Sequence, residues 1–245
     1  MNWQETLELL ESGQLRSADK INGKWQVNSE VKKQILEVFK AGELSEMQGF
    51  VDKHNLPAQK FTVERGVRFV PGGSAVRRGA YIARGVIVMP PSYVNIGAFV
   101  DSGTMVDSHV LVGSCAQIGK NVHLSAGVQI GGVLEPIGAA PVIIEDGAFI
   151  GAGSIIVEGI LVGSGAVIAP GVILSKGTSV YDAVNQRVLE RGEGIPANAV
   201  VVPGVRPITS HPWAKEQGLG LQCPVIIKYR DEKSNASLEL ESILR

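Results

Sequence analysis

The sequence contains little of what marks most classes of protein. Aromatic residues make up 5% of its 245 residues and charged residues 19%, and the formal net charge is −1. A chain so close to neutral has no global basic field, so we expect no nucleic-acid partner. Its apolar stretches are interrupted by Gly or Pro every few residues, and none is long enough to predict a membrane span.

Cysteine is scarce as well. The chain has two, Cys115 and Cys223, which argues against a disulfide framework and against a cysteine-based metal cluster. The first residues, "MNWQETLELLESG", lack a basic segment followed by an apolar run, so they do not predict a signal peptide. We therefore expect a cytoplasmic protein.

What the sequence does contain is glycine, with 30 residues, and aliphatic residues that recur with a period of six. Four residues after most of these aliphatic positions comes a second small or aliphatic residue, and the residue before that one is usually Gly. The aliphatic positions are Ile82, Val88, Val94, Val100, Val106, Val112, Ile118, Leu124 and Ile130 and then, after eight additional residues, Ile144, Ile150, Ile156, Val162, Ile168, Leu174 and Val180.

This pattern predicts an all-β core that is a left-handed parallel β-helix of hexapeptide repeats. Each hexad forms one short strand and one turn, and three hexads complete a triangular coil of about eighteen residues. Residues eighteen apart should then stack, as Val94 on Val112 on Ile130, and as Ile144 on Val162 on Val180. Glycine at the turns supplies positive φ.

The flanking segments predict a mainly helical N-terminal cap and a C-terminal strand/helix extension. Residues 1–12 are amphipathic and end at Gly13, Asn22 and Gly23 mark a hairpin, and Ser29 is the expected N-cap of a second helix that ends near Gly42. The run "PVIIKYRD" predicts a strand and "SLELESILR" a terminal helix. We divide the chain into residues 1–68, a cap and linker; 69–205, the β-helix with a loop insertion at about 135–142; and 206–245, the extension.

The repeat by itself leaves several function classes open, because a fold does not define an activity. An ice-binding rod needs rows of exposed Thr, which are missing. A metal-dependent hydratase needs three histidines at coil spacing, whereas only fourteen residues separate the middle two of the four, His109 and His123. We therefore expect no metal. An acyltransferase and a non-catalytic assembly protein remain.

Several motifs resemble the bacterial tetrahydrodipicolinate N-succinyltransferases. They are "GTMVD", "GSCAQIGKNVHLSAGVQIGGVLEP", "SYVNIGAFVDSG", "CPVIIKYRD" and, upstream, "SGQLRSADKINGKWQVNSEVKKQIL". The resemblance covers essentially the whole chain. It implies transfer of succinyl from succinyl-CoA to a cyclic or ring-opened amino-dicarboxylate in lysine and diaminopimelate biosynthesis. It also implies a homotrimer with active sites between neighbouring β-helices, and no tightly bound cofactor.

The resemblance implies two central site residues. Asp107, in "GTMVD", matches the family's active-site acid, and a carboxylate there would take a proton from the attacking nitrogen or orient it. Arg68, in "VRFVP", matches the ligand of a substrate carboxylate, for which a planar guanidinium is suited. Arg77, Arg78 and Arg84 are further cationic candidates near the same end of the chain.

Contacts to CoA have no compact motif. Small turn residues, Ala152, Gly153 and Gly171, are candidates for lining a groove for the pantetheine arm, and Lys176 for meeting a phosphate. The insertion, with Glu135 at its base, is expected to close over a groove. We expect His109, His123 and Cys115 to be structural.

One position departs from the family pattern. Where the succinyltransferases carry Glu, two residues before the Val of "VEG", this chain has Ile155. The related tetrahydrodipicolinate N-acetyltransferases have an aliphatic residue there, so acetyl-CoA is the alternative donor. A β-helix that only binds or assembles is the alternative from another class.

Overall fold

The computed structural model describes residues 1–47 and 49–230 of the chain. Helices α1, α2 and α3 span Trp3–Glu11, Ser29–Ala41 and Pro212–Glu216, and a 3₁₀ turn spans Val63–Arg65. None of the helices in these ranges has the length and apolar character that crossing a bilayer requires.

The core is a parallel β-helix built from two-residue strands that form three faces. Face 1 contains Tyr81–Ile82, Phe99–Val100, Gln117–Ile118, Ile143–Ile144 and Leu161–Val162. Face 2 contains Ala75–Val76, Tyr93–Val94, Leu111–Val112, Gln129–Ile130, Ile155–Ile156 and Ile173–Leu174. Face 3 contains Arg68–Phe69, Ile87–Val88, Met105–Val106, His123–Leu124, Phe149–Ile150 and Val167–Ile168. The predicted β core of stacked six-residue repeats is confirmed in its strands and their parallel pairing.

The period-six positions are the inward residues of these strands. Val94 pairs with Val112 and Val112 with Ile130, and all three are fully buried. Each strand turns its second residue into the prism and its first residue outward, since side chains alternate along a strand. A coil cannot bury its aliphatic residue alone, so the core exists only through stacking.

The eight extra residues after Ile130 leave the stack without disturbing its register. Ile118 pairs with Ile144 and Ile130 with Ile156, so these ladders continue across the insertion. The additional chain forms a loop outside the prism, with a turn in which the Ala139 N–H donates to the Pro136 carbonyl at 2.9 Å.

The corners are turned by residues with positive φ. Gly103 has a φ of 71° and Asn121 a φ of 52°, as the sequence predicts. His109 and Cys115, with φ values of 60° and 68°, occupy equivalent corners in other coils. There the ladders above and below hold the backbone in a conformation that these side chains rarely adopt unaided.

Inward hydroxyl groups satisfy carbonyl groups at the corners. Ser92, Thr104 and Ser154 each donate to the carbonyl fifteen residues further along, at 2.6, 2.8 and 3.0 Å. This explains why small polar residues appear at positions that otherwise hold Ala or Val, because a buried carbonyl without a donor is costly.

The predicted stack of Ile144 on Val162 on Val180 is wrong at its last step. Ile144 does pair with Val162, but the next partner of Val162 is Ile195. After Leu174 the chain leaves the coil, forms the hairpin Tyr181–Asp182/Arg187–Val188, and returns at Ile195. Val180 is buried in the core beside this excursion.

The N-terminal segment packs along one corner of the prism. Leu7 of α1 contacts Gly79, and Ile35 of α2 contacts Gly97 one coil further on. The Asn22-Gly23 hairpin is confirmed, with strands Ala18–Ile21 and Lys24–Val27. A second hairpin joins Leu44–Met47 to Phe50–Lys53. The predicted start of α2 is one residue late, because Asn28 and not Ser29 caps it, through a bond from the Val31 N–H at 3.3 Å.

The C-terminal part begins as a continuation of face 3. Strand Ala199–Pro207 pairs in parallel with Val167–Ile168 and in antiparallel with Gly220–Tyr229, forming a two-stranded ribbon. The predicted strand "PVIIKYRD" lies in this ribbon up to Tyr229. The predicted terminal helix, "SLELESILR", falls outside the described residues.

Candidate active site

Asp107 lies at the corner between face 3 and face 2, directly after the inward Val106. Its main-chain N–H donates to the Leu124 carbonyl at 3.0 Å, and its carbonyl accepts from the Ser92 hydroxyl at 2.6 Å. Its carboxylate Oδ1 accepts from the Ser108 N–H at 2.7 Å, and the side chain is half-buried. The coils on both sides therefore fix the main chain of Asp107, and the Ser108 N–H orients its carboxylate.

Arg68 lies on face 3, two coils from Asp107. It pairs with Ile87, and Ile87 pairs with Met105, the residue two before Asp107. At about 4.8 Å between neighbouring strands, the Cα of Arg68 is roughly 10 Å along the prism from the level of Asp107. Arg68 is exposed, so its long side chain is available to reach toward that level.

The small residues predicted to contact CoA share the corner of Asp107. Ala152, Gly153 and Gly171 are exposed and occupy the equivalent turns two and three coils further along. A Cβ atom added to Gly153 or to Gly171 would have no neighbouring atom within 4 Å, so the space beside both residues is open. This corner is accessible along several coils.

Lys176 does not belong to that corner. It lies on the opposite side of face 2, at the corner that follows Leu174, where its main-chain N–H donates to Glu158 Oε2 at 2.9 Å. The sequence analysis named it, as a cation for a phosphate, in the same set of CoA candidates. The strand Ile173–Leu174 separates them in space.

A groove of about 630 Å³ runs beside Lys176. The insertion forms one wall, with Glu135, Pro136 and Ala139. The floor and far wall come from successive turns and from Arg191, a cation that sequence reasoning missed because it lies in the excursion after Leu174. These remaining lining residues are Gly131, Gly132, Val133, Val157, Glu158, Ser175, Lys176, Gly177 and Arg191.

The outward surfaces of the three faces differ. On face 1, Phe99, Gln117 and Ile143 are buried because the chain's own N-terminal segment covers them. On face 2 and face 3 the outward residues are mostly apolar and partly exposed. They are Ala75, Tyr93, Leu111, Gln129, Ile155 and Ile173 on face 2, and Arg68, Ile87, Met105, His123, Phe149 and Val167 on face 3.

The residues expected to be structural have structural surroundings. His123 stacks on Phe149 with ring centroids 4.9 Å apart, in the outward ladder of face 3. The N–H of His109 donates to the Pro91 carbonyl at 2.6 Å. Burial raises the pKa of the Cys115 thiol to about 11, which keeps it protonated and unreactive near neutral pH.

The other arginines named from the sequence tie the N-terminal segment to the β-helix. Arg77 Nη2 donates to both carboxylate oxygens of Asp52, at 2.7 and 2.9 Å, and Arg78 binds Glu11 at 3.1 Å. Arg84 donates to the Glu64 carbonyl at 2.8 Å. Ile155 is outward on face 2, between Gln129 and Ile173.

Comparison with known proteins defines the class first. Residues 141–176 match a family described as the hexapeptide repeat of succinyl-transferase, which agrees with the stacked coils of the β-helix. Residues 3–40, which contain α1 and most of α2, match the N-terminal region of tetrahydrodipicolinate N-succinyltransferase. The chain is therefore a hexapeptide-repeat protein with a transferase-type N-terminal segment.

Near-full-length relatives then define the family. The chain is 49% identical to the 2,3,4,5-tetrahydropyridine-2,6-dicarboxylate N-succinyltransferase of Methylococcus capsulatus, over 98% of this chain and 88% of that protein. It is 47% identical to the enzyme of the same name from Legionella pneumophila, over 98% and 87%, and 45% identical to that of Coxiella burnetii, over 98% and 88%. The chain belongs to the tetrahydrodipicolinate N-succinyltransferase family.

Proposed function

We propose that this protein transfers the succinyl group of succinyl-CoA to the nitrogen of tetrahydrodipicolinate, in its cyclic or ring-opened form. The observation that carries the proposal is the likeness at 45–49% identity to proteins of that name over 98% of the chain. The relatives from Methylococcus, Legionella and Coxiella all carry the succinyl name, and this favours succinyl-CoA over the acetyl-CoA alternative despite Ile155. Lysine and diaminopimelate biosynthesis is the pathway that this reaction serves.

Asp107 is the proposed catalytic residue. The substrate nitrogen attacks the thioester carbon, a C–N bond forms, the C–S bond breaks, and the nitrogen loses a proton. The Ser92 hydroxyl and the Leu124 carbonyl hold the main chain of Asp107, and the Ser108 N–H holds its carboxylate. A carboxylate positioned in this way needs little reorganisation to orient the nitrogen or accept that proton. CoA leaves as the thiol.

Arg68 is the proposed ligand of a substrate carboxylate. Its guanidinium presents paired N–H donors that match a carboxylate bidentately. Its position on the same face as Asp107 and two coils away supports a substrate that extends along face 3.

Ala152, Gly153 and Gly171 are the proposed contacts of the pantetheine arm, at the corner that they share with Asp107. Lys176, across face 2 and together with Arg191, is the proposed contact of a phosphate. An acyl donor bound in this way would cross the outward surface of face 2 between the two corners. The donor is a cosubstrate, and no tightly bound cofactor is part of the proposal.

The assembly that we propose is a homotrimer with active sites between neighbouring β-helices. The partly exposed apolar ladders of face 2 and face 3 support it, because such continuous strips are typical of interfaces. We further propose left-handed coils, as the family resemblance implies, and a cytoplasmic location. Two cysteines that are both buried and free agree with a reducing compartment.

A thiol-release assay with the amino-dicarboxylate tests the activity. We expect kcat/KM with succinyl-CoA to exceed that with acetyl-CoA by about a hundredfold, because the family's site is expected to pair the distal carboxylate of the succinyl group. A preference for acetyl-CoA would replace the proposal with its alternative. Absence of thiol release with both donors would favour the non-catalytic assembly protein.

A further inference from the structure

Lys32 is a buried lysine in a position where an aliphatic residue would be ordinary. It lies on α2 beside the core residues Val31 and Ile35, and it is 0% exposed. Its Nζ donates to the Ala139 carbonyl of the insertion at 2.6 Å. Burying an ammonium group is costly unless it is bonded, so its presence calls for a reason beyond packing.

The insertion has two other attachments on the same side. Leu134 packs against the apolar cluster between the helices and the prism. The carbonyl of Ala140 lies against Gly159, in the place that a Cβ at residue 159 would fill. Residues 134–140 are thus held from behind, and their other side forms the wall of the groove that contains Lys176 and Arg191.

We propose that Lys32 is a positioning residue for the acyl donor, and that it acts by holding the Ala139 carbonyl so that the insertion keeps the shape of the groove wall. The inference rests on the proposed function, in which this groove receives the phosphate-bearing part of the donor. Lys32 itself does not touch the donor.

The electrostatic surroundings are consistent with this role. Burial lowers the pKa of Lys32, the neighbouring Cys115 acts in the opposite direction, and the charge of Lys176 lowers it further. The groove is lined by two cations, Lys176 and Arg191, and by two carboxylates, Glu135 and Glu158. An anion in it would therefore be held by the two basic side chains locally and not by a net positive charge.

The test compares Lys32→Met with Lys33→Met, an exposed neighbour that forms a surface pair with Glu30 at 3.5 Å. In Lys32→Met we expect the KM for succinyl-CoA to rise roughly tenfold, with kcat and the KM for the amino-dicarboxylate within about twofold of wild type. A purely structural role would reduce the amount of folded enzyme, and so the apparent kcat, without this selective change. Lys33→Met should match wild type in all three constants.

Circular dichroism establishes that each variant is folded. If Lys32→Met does not fold, Lys32→Leu, which also removes the N–H donor, replaces it with the same expectation of a selective effect on KM. Lys32→Arg, which keeps N–H donors, should stay within about twofold of wild type in the KM for succinyl-CoA. A KM for succinyl-CoA within twofold of wild type in a folded variant that lacks the donor would overturn the proposal.

Calorimetric titration with CoA alone separates this inference from the proposed function. If wild type binds CoA but shows no turnover, the proposed function fails, and a weaker Kd for CoA in Lys32→Met still supports the role of Lys32. An equal Kd in both proteins would overturn it.

Discussion

Asp101 has the same local hydrogen bonds as Asp107, but it lies at a different corner of the coil. Comparing the two shows that position on the prism distinguishes the proposed catalytic residue. Both aspartates follow an inward Val, both donate their N–H to a carbonyl of the next coil at 3.0 Å, and both accept from the next N–H at 2.7 Å. Asp107 lies at the corner between face 3 and face 2, whereas Asp101 lies at the corner between face 1 and face 3. Local geometry alone does not distinguish them.

Asp101 provides the control for the first prediction. Asp107→Asn should lower kcat by about 10² to 10⁴-fold, because the amide cannot accept the proton of the attacking nitrogen. Asp101→Asn, which changes the same turn at another corner, should keep kcat within about threefold of wild type. Thiol release at saturating substrates measures both, and a full-rate Asp107→Asn enzyme would remove Asp107 from the mechanism.

At the scale of elements, the N-terminal hairpin is fastened to face 1 by a single carboxylate. Glu145 Oε1 accepts from Lys20 at 2.6 Å and from the Trp25 indole at 2.8 Å, and Oε2 accepts from Ser164. Burial by itself would raise the pKa of Glu145, but these hydrogen bonds outweigh it and the net pKa lies below its ordinary value. The ionised form therefore stabilises the folded state.

The second prediction concerns the pH dependence of this contact. Glu145→Gln should lower the free energy of unfolding by about 1 to 2 kcal/mol at pH 7, because charge-assisted bonds become neutral ones. Since the folded pKa is below the unfolded value of about 4.3, the difference should be constant above that value. It should shrink as the pH falls through the folded pKa.

Denaturant unfolding at pH 7 and at about pH 3.5 measures the difference in unfolding free energy between Glu145→Gln and wild type. Asp146→Asn, a change at the exposed neighbouring residue, is the control. A difference between Glu145→Gln and wild type that grows on acidification would contradict the assigned direction of the Glu145 pKa.

The division of the chain near residues 68 and 205 also concerns whole elements, and it stays a prediction. Truncation there, with folding as the readout, is the direct test.

At the scale of the whole molecule, the unequal coverage of the three faces is the main feature. Face 1 is covered by the chain's own N-terminal segment, while face 2 and face 3 keep apolar ladders that are partly exposed. A structure with two such strips on one prism is suited to pack against copies of itself around a closed ring. The proposed site at Asp107 lies at the corner where these two faces meet.

The third prediction follows from these ladders. Wild type should elute in size-exclusion chromatography with light scattering at three times the chain mass of 25.9 kDa. Leu111→Glu on face 2 and Val167→Glu on face 3 should shift the mass toward that of one chain and reduce turnover, because a buried unpaired carboxylate is costly at an interface. Val184→Glu, at an exposed hairpin tip, should leave both unchanged. A wild type that elutes as one active chain would refute the trimer.

What the sequence determined by itself is the repeating core. The inward residue of each strand from Ile82 to Leu174 was predicted individually, because the period of six is local and every coil reads the same pattern. The register also resumes at Ile144 beyond the additional residues, as the repeat predicts. The position of Asp107 at a corner of the prism follows from that register. Arg68 lies before the first predicted repeat and pairs with Ile87, nineteen residues further on, so the structure decided its position. The roles of both residues came from the family resemblance.

The tertiary structure decided everything that depends on contacts between distant segments without a period. The chain leaves the stack after Leu174 and re-enters at Ile195, so the regular continuation through Val180 misplaced the last coil. Lys176 lies across face 2 from Gly171, although the two are close in the sequence. Lys32 meets a carbonyl 107 residues away. Such contacts arise when the flanking segments pack against the prism. A sequence pattern within one segment does not identify the distant residues that the segment will contact.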